Sequence, residues 1–104
     1  MEILEQNVPL RTDDRGVVRV GKTRVLFELV VRSYLQGHTP EEIVRQYSTL
    51  ELADVYGALA YFLQHRDQVE EYLEQREEQA AEVRRKLDEA GAAVEVEISL
   101  GPHS

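Results

Sequence analysis

The 104-residue sequence contains no cysteine. Disulfides, thiolate nucleophiles and thiolate metal sites are therefore excluded, and the composition suits a reducing compartment. No apolar run approaches the ~20 residues of a membrane-spanning helix. The stretch Met1-Glu2-Ile3-Leu4-Glu5 lacks the pattern of a secretory signal. A cytoplasmic protein with no membrane role is expected.

Catalytic constellations are missing too. His38, His65 and His103 are scattered, and none stands at metal-ligand spacing. Gly21-Lys22-Thr23 lacks the first half of a phosphate-binding loop and precedes a strand-like run. Ser33 and Ser48 have no base nearby in the sequence. No catalytic, cofactor-binding or metal-ligating residue is assigned, and a non-enzymatic protein without cofactors is expected.

Basic charge is scarce where acid is abundant. The net charge is -8, yet residues 1–66 carry 8 basic and 9 acidic side chains. Residues 67–104 carry 4 basic and 11 acidic. The acidic part repels nucleic acid and anionic membranes; the near-neutral front part does not.

What the chain does have is a long helical pattern over 50–90. Proline is absent from it, and Gly57 is its one glycine. Leu52, Val55, Leu59, Phe62, Arg66, Val69, Leu73, Arg76, Ala80, Val83 and Leu87 recur at alternating steps of three and four, a heptad seam. A continuous helix here would be roughly 60 Å long at ~1.5 Å per residue. A compact domain of this size has a radius of gyration near ~13 Å. Such a seam needs a second copy, a fold-back or another protein to cover it.

Upstream, residues 7–25 read as two or three short strands, with turns at Asp13-Asp14-Arg15-Gly16 and Gly21-Lys22. Residues 26–36 read as a helix apolar on most sides, with Glu28 placed to pair with Arg32. Gly37 ends it. Thr39-Pro40-Glu41-Glu42 is a capping box that opens a short helix over 40–47, and Ser48-Thr49-Leu50-Glu51 offers a second box for the long one. Helix, glycine turn, short helix, turn and longer helix is helix-turn-helix spacing. After Ala90-Gly91, residues 94–100 alternate apolar and polar, as a strand would. The fold class is α+β, mainly α: an N-terminal β-hairpin packed on a helix-turn-helix core (1–66), an acidic helical arm (67–90) and a tail (91–104) with a short strand at 94–100.

The run Val17 to Val25 with its Gly21-Lys22-Thr23-Arg24 turn, then Gly37-His38-Thr39-Pro40-Glu41-Glu42-Ile43-Val44, Tyr47, and Leu52 through Leu63 together resemble domain-of-unknown-function family 433. These are small prokaryotic proteins that include VapB-type antitoxin-like members. The resemblance spans about residues 8–75. It implies a homeodomain-like or winged-helix-like fold, binding of operator DNA, and neutralisation of a partner toxin, often a PIN-type ribonuclease. It brings no catalytic residues. Bulky Phe27 and the acidic arm and tail depart from the shared core.

Two sets of candidate site residues follow. Arg11, Arg15, Arg19, Lys22 and Arg24 crowd the hairpin and would meet phosphates, with Gln64 at the end of the third helix as a base reader. That helix opens on the acids Glu51 and Asp54, which oppose DNA; its other exposed positions are expected to be Tyr61 and His65. Phe27, Val31, Val69, Leu73, Ala80, Val83 and Leu87 are the candidate interface for a homodimer or higher homo-oligomer, or for a toxin. The competing expectation is a homo-oligomeric structural or adaptor protein that binds no DNA.

Overall fold

A computed structural model of the chain describes residues 1–4 and 7–99, with only the backbone described at 92–99. The fold is α+β and mainly helical, with one two-stranded antiparallel hairpin near the N-terminus. By contacts the chain divides into two units, Met1–Leu73 and Glu74–Ser104.

In the first unit, strand β1 (Leu10–Thr12) pairs with β2 (Val18–Val20) in the register Leu10↔Val20, Arg11↔Arg19, Thr12↔Val18. The turn between them is built by Asp13. Its Oδ1 accepts the N–H groups of Arg15 and Val17 at 2.9 and 3.0 Å, and Gly16 takes φ +81°. Those N–H bonds, Val17 foremost, hold the Asp13 carboxyl below its ordinary pKa. Period-two alternation buries Val18 and Val20 and leaves Arg19 outward. The expected third strand is reduced to one bridge, Arg19↔Leu26. A tight turn, with Gly21 at φ +59° and Val20 N–H donating to the Val25 carbonyl, delivers the chain straight into helix α1.

Helix α1 (Phe27–Leu35) buries Phe27, Val30 and Val31 completely. It ends in a Schellman motif. His38 N–H donates to Ser33 and Gly37 N–H to Tyr34, with Gly37 at φ +100°. Helix α2 (Pro40–Gln46) starts at the full Thr39/Glu42 capping box with Pro40 in its first turn. Helix α3 (Leu52–Gln64) does not use the second box: Glu51 is its N-cap and makes no side-chain cap bond. The intervening residues instead turn Leu50 into the core, with its N–H donating to Tyr47 at 2.9 Å. Burying that side chain outweighs one cap bond of about 1 kcal/mol.

The long helix is not continuous, contrary to the seam's spacing. It breaks at His65, whose φ and ψ are -131° and 48°, and helix α4 (Arg66–Ser99) follows. The break has a packing cause. In an unbroken helix Tyr72 would lie about 15 Å beyond Phe62. Instead its ring packs 6.5 Å from that of Phe27, and Val69 is fully buried. The Tyr61 hydroxyl donates to Gln68 Oε1 at 2.6 Å across the break and accepts the Leu4 N–H, while the Tyr61 ring lies 4.3 Å from that of His65, tilted by 35°.

In the second unit α4 continues from Glu74. Glu77 pairs with Arg84 at 3.1 Å, and Glu82 with Arg85 and Lys86. Val83 and Leu87 are 55 % and 63 % exposed. The helix runs through Ala90-Gly91 to Ser99, so the strand expected at 94–100 is corrected to helix as far as the description reaches; Leu100 lies outside the described residues. A lone strand leaves its backbone groups unpaired, whereas extending a helix already nucleated adds one internal bond per residue.

Candidate interaction surfaces

Three surfaces are built on this frame. The first is the hairpin. Arg11 and Arg19 are cross-strand partners, so their side chains share one face. Both turn back onto backbone carbonyls: Arg11 donates to Gly21 and Thr23 at 2.9 and 2.6 Å, and Arg19 to Arg24 at 3.0 Å. Arg19 also meets Asp13 at 3.5 Å. The carbonyl dipoles offset the repulsion of two like charges. Two of the five hairpin cations thus brace the second turn. Arg15 sits in the first turn, Lys22 and Arg24 in the second, and all three are exposed. Gln64 is not part of this cluster. It ends α3, about 18 Å along the helix from Leu52.

The second surface is a cleft of about 460 Å³ between the second turn and the start of α3, lined by Pro9, Gly21, Lys22, Thr49, Glu51 and Asp54 among others. Here backbone meets helix closely. A Cβ on Gly57 would come within 2.6 Å of the Pro9 ring, and one on Gly21 within 2.7 Å of the Asp54 carboxylate. The acids at the start of α3 set the electrostatics of this edge against a phosphate.

The third surface is the outer face of α3. Leu52, Tyr56 and Leu63 are 41–51 % exposed, and Ala53, Ala60 and Gln64 are exposed beside them. These positions occupy one arc of the helix about 120° wide at ~100° per residue. No charge falls on it; Asp54, the one charged residue in α3, lies outside the arc. The Tyr56 hydroxyl donates to Glu41 Oε1 of α2 at 2.8 Å. That bond lowers the Glu41 pKa and raises that of Tyr56. Seam spacing assigns Leu52 to the face that needs covering, whereas in the structure it lies on this exposed stripe. Its signal was there: Leu52, Tyr56 and Leu63 are spaced by four and seven, a face separate from Val55 and Phe62. Tyr61, expected outside, is buried.

The expected interface residues are divided. Phe27, Val31 and Val69 are fully buried in the first unit's own core, and Leu73 packs against that core. A core of this kind leaves Phe27, Val31 and Val69 no surface for a second chain, which corrects their assignment to an interface. Ala80, Val83 and Leu87 belong to the second unit, where Val83 and Leu87 are exposed. Among the described residues no His, Asp and Glu cluster could hold a metal, and no helix is long and apolar enough to cross a membrane.

Residues 15–62 match the family model described as Protein of unknown function (DUF433). The match supports the resemblance read from the residues. It runs from the first hairpin turn through most of α3 and stops short of the His65 break. No curated protein and no solved structure matches the chain.

Proposed function

We propose that this protein is a non-catalytic, antitoxin-like binding module of the cytoplasm, whose α1–α3 unit is a homeodomain-like helix-turn-helix that docks a partner protein on the outer face of α3. The observation that carries the reading is the exposed stripe Leu52, Tyr56 and Leu63, to which α3 contributes no charge and which the Glu41 carboxylate of α2 borders at Tyr56. A helix that reads DNA wants cations toward the phosphates, and α3 has none. Apolar and aromatic side chains without charge are instead the composition of a protein interface core. Burying each leucine there contributes roughly 1.5–3 kcal/mol. The family resemblance suggests a PIN-type ribonuclease as the partner, and the chain self-associates through the second unit.

The test is co-purification with the product of the neighbouring gene, compared between the native chain and Leu52→Glu or Leu63→Glu. Loss of capture at unchanged thermal stability supports the reading. Capture that survives both changes overturns it.

A second reading, contact with operator DNA, is favoured by the exposed cations Arg15, Lys22 and Arg24. It places phosphates on the hairpin and leaves α3 to the protein partner.

A further inference from the structure

The exposed seam of the second unit carries information about its partner. Arg76, Ala80, Val83, Leu87 and Ala90 follow at steps of four, three, four and three, and Val83 and Leu87 are open to solvent. From Glu74 to Gly91 the helix carries four basic and six acidic residues, so its flanks hold both signs. We propose that this segment pairs with the same segment of a second copy in antiparallel orientation; the inference rests on the self-association proposed above and adds its geometry.

Two charge relations decide the orientation. In a parallel pair each seam residue faces itself, so Arg76 would face Arg76 of the second copy. Two cations in one seam layer repel. Antiparallel pairing about the middle of the seam sets Ala80 against Val83 of the second copy, and Arg76 against Leu87. The Arg76 stem can then lie along the leucine while its guanidinium reaches water.

The flanking charges agree. Glu77 follows Arg76 and Arg84 follows Val83, so both lie on the same side of the seam. Their mutual bond at 3.1 Å, seven residues apart, shows that alignment directly. Antiparallel pairing brings Glu77 of each copy beside Arg84 of the other, giving two symmetry-related ion pairs. Parallel pairing would set Arg84 beside Gln79 and Lys86 beside Gly91, with no ion pair at either place.

Because the chain has no cysteine, single-cysteine variants of the full protein report the orientation cleanly. Arg76→Cys and Leu87→Cys chains are mixed and equilibrated in a glutathione redox buffer. In the antiparallel pair the two Leu87 positions are eleven residues apart along the axis, about 16 Å. That exceeds the ~7 Å Cα limit of a disulfide. The expected result is twice the chain mass in light scattering for the native protein, and a mixed 76–87 disulfide with loss of both homodisulfides. Val83→Asp should return the mass to that of one chain.

A native dimer that yields the 87–87 homodisulfide overturns the orientation while leaving self-association standing. A dimer that forms neither bridge, or that survives Val83→Asp, overturns this seam as the contact. A native monomer overturns the self-association itself.

Discussion

The Tyr72 hydroxyl oxygen accepts the backbone N–H of Val18 at 2.8 Å, joining the start of α4 to the buried strand of the hairpin. The same hydroxyl lies 3.4 Å from Glu28 Oε1, to which it donates. Glu28 and Tyr72 are both buried. Tyr72→Phe keeps the ring against Phe27 but takes a partner from each of two buried groups. Taking this acceptor from the buried Val18 N–H costs about 1–3 kcal/mol, while Glu28 keeps a further partner. Urea unfolding should show a loss in that range. A loss below about 0.5 kcal/mol, the size of a neutral surface change, would mean that the bond contributes nothing.

Gly57 inverts the usual helix rule. Glycine to alanine inside a helix ordinarily stabilises by about 1 kcal/mol. Here the new methyl would sit 2.6 and 2.8 Å from two carbons of the Pro9 ring, a group with no flexible end to move aside. Gly57→Ala should therefore destabilise, by about 1–3 kcal/mol as overpacked sites do. The loss should shrink in a Pro9→Ala background. A Gly57→Ala protein more stable than the native one would show that the Pro9 segment is free to move.

Much of this frame is legible in the residues. The Thr39/Glu42 box, Pro40, Gly37 and the Asp13–Gly16 turn act through neighbours in sequence, so their geometry follows from local chemistry. Val55, Leu59, Phe62 and Val69 are also legible as buried. The break at His65 is not legible as a bend, although the boundary drawn between residues 66 and 67 falls beside it. Heptad spacing continues straight through it, and long-range contacts favour a bend, those of Tyr72, Tyr61 and Val69 among them. The exposed stripe of α3 was hidden for a related reason. Leu52 fits the seam by spacing, but the helix starts one turn later than the Ser48 box suggests, and the core is already filled by Leu50 and Val55. Local alternation points to a strand at 94–99, where the backbone instead continues the helix.

The Tyr56–Glu41 bond should give stability two pH limits. Its carboxylate has a pKa below the ordinary 4.5, set first by the Tyr56 hydroxyl, so its contribution is present above that value and lost as pH falls through the lowered one. The tyrosine pKa is raised above 10.0, set first by the Glu41 carboxylate. Its contribution is present below 10.0 and lost as pH rises through the raised value. Both groups are exposed, so the effects are small. Tyr56→Phe should flatten both limbs of the unfolding-midpoint profile by removing one bond. The Glu42 carboxyl, lowered first by the Thr39 backbone N–H, keeps a separate acid limb. Unchanged slopes on both sides in Tyr56→Phe would dismiss the bond as a source of pH dependence.

The hairpin cations and the α3 face should separate in a binding assay. Arg11 and Arg19 hold carbonyls of the second turn, so replacing them disturbs that turn as well as charge. Arg15, Lys22 and Arg24 are the cleaner probes. If the hairpin meets phosphates, three lost contacts should reduce the slope of log affinity against log salt by about 2.7 on duplex DNA. Leu63→Glu and Gln64→Ala should leave that slope unchanged, because α3 brings no cation to the phosphates. Retention of duplex DNA at low salt is therefore expected to vanish in the triple alanine variant and to persist in Gln64→Ala. A Gln64→Ala protein that loses retention while the triple variant keeps it would move the nucleic-acid contact to α3 and remove the reason for reserving that helix for a protein partner.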